Sequence, residues 1–218
     1  MFALKIWWRA CRHLQHRGYI YIWANLCFVI TALPIVTAPA GFAGLVKLSR
    51  ALQRGERADL NTFWSGFREN LGRGSVLGAL TLLILIINGS NLIAYAPVSI
   101  MDLSLHIVWV AAIALWLALM FYFWPVYYAM EKPTTIGVLR NALLVILRHP
   151  ASTLIHGIGL IALGILSLIL PFLALLLTCS FAAILSTGAV LSCLAKASHS
   201  AGAAPAWSPG HADLQQAL

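Results

Sequence analysis

The sequence predicts an all-α, polytopic transmembrane helical bundle with about six membrane segments and further amphipathic helices outside the membrane. Of the 218 residues, 61% are hydrophobic and only 9% are charged, whereas soluble domains are about half apolar and about a quarter charged. A soluble domain of this length cannot bury so much apolar side chain, so we expect the excess to face lipid. Apolar runs of about 20 residues, the length that crosses a bilayer, alternate with short basic stretches.

Residues 1–18 predict a basic helix lying in the membrane interface. Trp7 and Trp8 stand among Lys5, Arg9 and Arg12, and aromatic rings with cations are typical of the headgroup region. Ala38-Pro39-Ala40 imitates a signal-peptidase site. We reject a cleaved signal peptide because the leading segment is long and the apolar run after it contains Asn25.

Residues 19–53 predict a short hairpin that turns at Pro34 and Pro39. Proline lacks the amide proton of a continuing helix and disfavours helical geometry at the residue before it. Each arm has about 14–16 residues and spans roughly 21–24 Å, less than the roughly 30 Å hydrocarbon core. The segment is therefore either a cramped two-helix hairpin or a re-entrant loop sheltered by neighbouring helices. Small residues in the second arm should let the two arms approach closely: Ala40, Gly41, Ala43 and Gly44.

Two basic amphipathic helices are predicted at residues 58–73 and 134–149. In the first, one helical face carries apolar residues at the spacing of an α-helix: Leu60, Phe63, Trp64, Phe67 and Leu71. Asp59 or Asn61 is expected to cap its start. We interpret both as interfacial helices because each directly precedes an apolar span.

Four full spans are predicted at residues 76–95, 105–128, 152–170 and 172–194, the last two hinged at Pro171. A short loop from Pro97 to Ser104 joins the first two. Residues 1–195 form one membrane-embedded domain. Residues 196–218, rich in Gly, Pro, Ser and Ala, are expected to form a flexible tail.

The distribution of cations predicts the topology. If residues 19–53 turn back, all fourteen Lys and Arg lie on one side of the membrane and none on the other. If that segment crosses only once, the same cations divide into four and ten. Since cytoplasmic loops carry the excess of Lys and Arg, we expect a hairpin with both termini in the cytoplasm of a bacterial inner membrane.

Polar residues inside the spans are the candidates for chemistry, because burying them in a bilayer is costly. They are Asn25, Asn88, Asn91 and His156, together with His106 near the outer interface. The first four are expected either to make interhelical contacts, which is the commoner use, or to line a polar passage. The sequence holds no phosphate loop, HExxH or dinucleotide fingerprint, and its four cysteines form no CxxC. Asp102, Ser104 and His106 imitate a hydrolase triad only by adjacency, which says nothing of geometry. We therefore expect no enzyme, no catalytic residue, no metal and no cofactor.

The net charge of +8 has two readings, nucleic acid and anionic lipid. In a membrane protein, cytoplasmic retention and anionic headgroups account for it better. We therefore expect the lipid bilayer, and no nucleic acid, as the partner of this charge.

The chain resembles the YesL-like family of bacterial membrane proteins over roughly residues 4–195. The resemblance rests on Asn25, on Leu33-Pro34-Ile35-Val36-Thr37 with Pro39-Ala40, on Arg54-Gly55-Glu56, on residues 63–70 and on Arg140-Asn141-Ala142-Leu143. The family usually has a glycine before its second proline, whereas here Thr37-Ala38-Pro39 lacks it. The resemblance implies a companion of carbohydrate uptake and degradation systems, and it carries no catalytic residue.

Two functions follow as hypotheses. The first is an accessory or assembly component of a membrane transport complex for carbohydrate, with a partner docking on Phe63, Trp64, Phe67 and Arg68, since aromatic residues beside arginine are typical of interface hot spots. The alternative is a small transporter or channel, particularly as a homo-oligomer, with a passage lined by the intramembrane Asn and His residues.

Overall fold

The computed structural model describes residues 2–95, 99–170 and 174–200, and these residues form helices and turns without strands. The helices are α1 (Phe2–Ala32), α2 (Ala38–Gln53), α3 (Leu60–Glu69), α4 (Leu71–Ala94), α5 (Ile100–Tyr127), α6 (Thr135–Arg148), α7 (Pro150–Ile169) and α8 (Cys179–Ser200), with a π-helical turn, Ala174–Thr178, before α8. Four stretches are long and apolar enough to cross a membrane: Leu71–Ala94, Ile100–Tyr127, Pro150–Ile169 and Leu176–Ala195. The described residues thus form an all-helical structure of membrane character.

The first helix contains a break that separates its basic part from its apolar part. Arg17 leaves helical geometry with φ −124° and ψ 17°, next to Gly18, the residue type that holds a helix least well apart from proline. The chain changes direction there, between the predicted interfacial helix and the predicted first arm.

The second half of α1 and α2 form an antiparallel hairpin. Gly41 of α2 lies against Phe28 and Thr31 of α1, and the Thr37 hydroxyl donates to the Thr31 carbonyl near the turn. The turn between the helices places Ile35 at φ 43°, a conformation that β-branched residues rarely adopt. The strained residue of this turn is therefore Ile35.

The two prolines act differently, which corrects one expectation. Pro34 lies in the turn, but Pro39 lies in the first helical turn of α2 and Ala38 is already helical. Proline is tolerated there because the first amides of a helix have no partner within it. The missing family glycine before Pro39 therefore leaves no strained backbone at Ala38.

Helix α2 is the central helix of the bundle. It is enclosed by α1, α3, α4, α5 and α8, and most of its first 15 residues are buried. Its small residues allow close contacts with several helices, and not only with α1, the first arm of the hairpin. Gly41 faces Thr31 of α1, Gly44 faces Phe63 of α3, and a Cβ on Gly74 of α4 would lie 2.6 Å from Ala40.

The predicted helix at 58–73 is two helices. α3 ends at Glu69, and α4 begins at Leu71, five residues before the predicted span. Asn70 leaves helical geometry with φ −111° and ψ 10°, and its side-chain amide donates to the Gly66 carbonyl, one of the last carbonyls of α3. Leu71 therefore belongs to α4 and not to the apolar face of α3.

Other boundaries also shift. α5 begins at Ile100 rather than 105, because the Ser99 hydroxyl accepts from the Asp102 amide and the Asp102 carboxylate accepts from the Ser99 amide. The backbone of α8 is helical through Ser200, beyond the predicted end at 194. The predicted hinge at Pro171, the loop residue Pro97 and residues 201–218 of the predicted tail lie outside the described residues.

Cations gather at one end of the bundle, which we call the basic end. The C-terminal end of α2, helix α3, the start of α4 and the end of α5 meet there, joined by contacts from Lys47 to Glu69 and from Arg73 to Tyr127. The opposite end, where α5 begins, carries Asp102. The sequence has no Lys or Arg between residues 74 and 131, the stretch that leads to this end and back.

Candidate functional site

The candidate site is a platform formed by α3 lying across the middle of α2. The two helices touch at glycines, because a Cβ on Gly66 would lie 3.0 Å from the Cα of Gly44. The Phe63 ring fills the adjoining space and is fully buried. The Lys47 ammonium pairs with the Glu69 carboxylate at 2.7 Å. Packing and charge together fix α3 on α2.

The start of α3 is held by Asp59, which decides between the two predicted caps. Its carboxylate accepts from the Thr62 amide at 3.1 Å and from the Asn61 side-chain amide at 2.9 Å. The Thr62 hydroxyl accepts from the Asp59 amide in return, which completes a capping box. The bonds from Asn61 and then Thr62 lower the pKa of the Asp59 carboxyl, because they favour its charged form.

The predicted partner-binding residues divide between the inside and the outside of the platform. Phe63 is buried against α2, so it serves the platform itself and presents no surface to a partner. Trp64 and Phe67 are half-buried, and Arg68 is exposed. Trp64 makes edge-to-face contacts with Phe63 at 5.5 Å and with Phe67 at 5.9 Å between ring centroids. The accessible set is therefore Trp64, Phe67 and Arg68.

Sequence reasoning missed the junction that ties the platform to α5. The Asn70 amide donates to the Tyr128 hydroxyl at 2.9 Å. The Arg73 guanidinium donates to the Tyr127 hydroxyl at 2.5 Å and lies 4.9 Å from the centre of that ring. Asn70 is 1% exposed, and its buried amide nitrogen is satisfied by this bond and by the bond to the Gly66 carbonyl. The sequence signal was present, since an aromatic run ending in two tyrosines closes α5, but the interface-belt interpretation did not identify a partner for it.

The intramembrane polar residues do not converge. Asn25 is fully buried and its side-chain oxygen accepts from the Ser180 amide of α8 at 2.9 Å, which is an interhelical contact of the predicted kind. Asn88 instead donates to the Ile84 carbonyl of its own helix at 2.9 Å. The His156 Nδ1 lies 2.5 Å from the Ser152 carbonyl, also of its own helix.

A cavity of about 730 Å³, which we call the membrane cavity, lies between the spans. Its walls come from five helices and include Phe28, Phe42, Val110, Phe121, His156 and Ile161. Asn25, Asn88 and Asn91 are not among its lining residues. Of the four predicted polar residues, only His156 reaches this cavity, and it is 1% exposed.

Within the described ranges, no group of three or more His, Cys, Asp and Glu side chains is placed to hold a metal ion. The four cysteines, Cys11, Cys27, Cys179 and Cys193, are free thiols.

One family model matches part of the chain. Residues 21–92 match the family described as "Protein of unknown function, DUF624". This range is about a third of the chain and contains the hairpin, the platform and most of α4. Neither the curated proteins nor the solved structures give a match.

Proposed function

We propose that this chain is a non-enzymatic protein of the bacterial inner membrane that serves as an accessory or assembly component of carbohydrate uptake. Its partner docks on Trp64, Phe67 and Arg68 of the platform, on the cytoplasmic side. The observation that carries the proposal is the fixed attachment of α3 to α2 through Phe63 and the glycine contact. A surface held rigidly before binding loses less conformational entropy when a partner docks.

Two features support the location of this surface. Two aromatic rings beside an exposed arginine are the composition that interface hot spots favour. The platform also lies inside residues 21–92, the range that matches a family. The association with carbohydrate uptake comes from the resemblance of the sequence alone, so the experiment must identify the partner.

The test is photo-crosslinking in cells. A photoreactive phenylalanine analogue is placed at Phe67, and a second chain carries it at Tyr19, an exposed aromatic position on α1. We expect a specific adduct from position 67 only, containing a component of a carbohydrate transport system. Trp64→Ala and Arg68→Ala should weaken the adduct, whereas Arg57→Ala, an exposed arginine before α3, should not.

The proposal fails if position 67 gives no specific adduct in cells grown on a range of carbohydrates. An adduct with a protein unrelated to carbohydrate uptake would support the docking surface but refute the role in carbohydrate uptake.

A passage lined by the four intramembrane polar residues has less support. The membrane cavity reaches His156 but neither Asn25, Asn88 nor Asn91, and Asn25 is occupied by its contact with α8. We therefore do not favour the transporter or channel.

A further inference from the structure

The membrane cavity has walls that suit hydrocarbon. Three of its polar side chains are hydrogen-bonded to another side chain or to their own helix. The Thr81 hydroxyl donates to the Leu77 carbonyl and accepts from the Trp116 indole. The Thr153 hydroxyl donates to the His149 carbonyl. His156 is bonded through Nδ1, and its Nε2 is covered by packing, without a partner. The surface offered to a ligand is thus almost entirely apolar.

The cavity is longer than the hydrocarbon of one leaflet, so it has room for an acyl chain along its length. Along α5 it runs from Trp124, near the basic end, to Val110, which is about 21 Å at 1.5 Å per residue. One leaflet contributes roughly 15 Å of hydrocarbon, half of the core. The volume of about 730 Å³ also lies in the range of ligand sites.

The cavity opens sideways, toward the region that lipid occupies. Val110, Leu117 and Ile161 line it and are each about half exposed or more. They lie in helices that are long and apolar enough to cross a membrane. A ligand that enters here arrives from the hydrocarbon and not from water.

From these observations we propose that the membrane cavity is a binding site for one acyl chain of a membrane phospholipid from the leaflet at the basic end. The chain lies between α5 and α7 with its carbonyl end toward Thr153 and its methyl end toward Val110. This assigns to the protein a bound lipid, distinct from the lipid that surrounds the whole bundle.

The test uses a phospholipid that carries a diazirine on one acyl chain, present as a trace in liposomes that hold the full chain. After illumination, the labelled residues are mapped by mass spectrometry. We expect labelling of lining residues such as Ile113, Ala118 and Gly157 in the wild-type chain. Labelling confined to outward residues that do not line the cavity, such as Ile107 and Leu115, would show surrounding lipid only and would overturn the proposal.

Two glycines of α7 provide matched variants. Gly157 lines the cavity and Gly164 does not, and a Cβ at either position meets nothing within 4 Å. Gly157→Phe should fill the space and lose the labelling of Ile113 and Ala118, whereas Gly164→Phe should keep it. Equal labelling in the two variants contradicts the site. If Gly157→Phe does not fold, Ala118→Phe fills the cavity from α5, with the exposed Ala112→Phe as its control.

Discussion

Single residues in this protein act mainly through the distances they allow between helices. The α2–α3 contact depends on Gly44, because a Cβ there would lie 2.7 Å from the Phe63 carbonyl oxygen and 2.9 Å from its ring. The backbone oxygen cannot move away without moving α3. The composition identified Gly44 as a small residue, but only the fold shows that its neighbour is α3.

We expect Gly44→Ala to destabilise the protein by about 1–3 kcal/mol, the usual cost of overpacking a close contact. Thermal unfolding in detergent, followed by circular dichroism, measures the change in Tm. Gly72→Ala is the control, since a Cβ at Gly72 of α4 meets nothing within 4 Å, and alanine favours a helix over glycine. The two changes should therefore have opposite signs, and a higher Tm for Gly44→Ala would disprove the close contact.

Asn25 should matter for stability more than the other intramembrane asparagines. Asn25→Leu leaves the Ser180 amide of α8 without its acceptor, and an unsatisfied buried donor costs about 1–3 kcal/mol. Asn88→Leu removes only a bond to its own helix and should change Tm little. Unfolding of the two variants side by side measures the difference, and equal Tm values would show that the α1–α8 contact contributes nothing.

At the scale of elements, the local signals in the sequence were predictive and the choice of neighbour was not. The apolar period of α3, its cap at Asp59 and the turn at Pro34 all follow from residues near one another in the chain. Which face of α3 meets protein was not predictable. Phe63 and Phe67 are equally apolar, and an apolar side chain suits lipid as well as a protein core. The burial of Phe63 depends on Gly44, 19 residues earlier.

The cap of α3 makes the platform sensitive to acid. The pKa of Asp59 is lowered in the folded chain by the bonds from Asn61 and Thr62. Its stabilising contribution is therefore complete above the unfolded value of about 3.9 and is lost as pH falls through the lower folded value. We expect the amides at the start of α3 to exchange hydrogen faster, relative to other helices, below about pH 4.

Hydrogen exchange with mass spectrometry measures this change peptide by peptide. Asp59→Asn keeps an oxygen that can accept from the Thr62 amide but does not titrate, so its exchange should lose this pH dependence. If Asp59→Asn and the unaltered chain show the same pH profile over residues 60–64, the carboxylate does not hold the helix.

At the scale of the whole molecule, the hairpin is explained by where α2 lies. With 16 residues, α2 is about 24 Å long, which is short for a lipid-exposed span. It is enclosed by five other helices, so its backbone and its polar Ser49 are shielded by protein rather than by its own length. From the sequence, the second arm of the hairpin looked too short to cross a membrane. In the fold this arm is α2, and it lies at the centre of the bundle.

The membrane topology is the prediction for the whole chain. The turn at residues 33–37 returns α2 antiparallel to α1, so the six cations from Lys47 to Arg73 lie toward the basic end with the start of α4. We expect this end to face the cytoplasm, because the alternative places cations on the outer side against the positive-inside rule.

The test is the labelling of single cysteines in a cysteine-free chain in intact cells, with a reagent that does not cross membranes. A cysteine at the partly buried Ala58, before α3, should react only after the inner face is opened, whereas one at the exposed Ile100 should react from outside. If Ala58→Cys reacted in intact cells, the basic end would face the outside and the proposed topology would be wrong. A partner on Trp64 and Phe67 would then have to be extracytoplasmic.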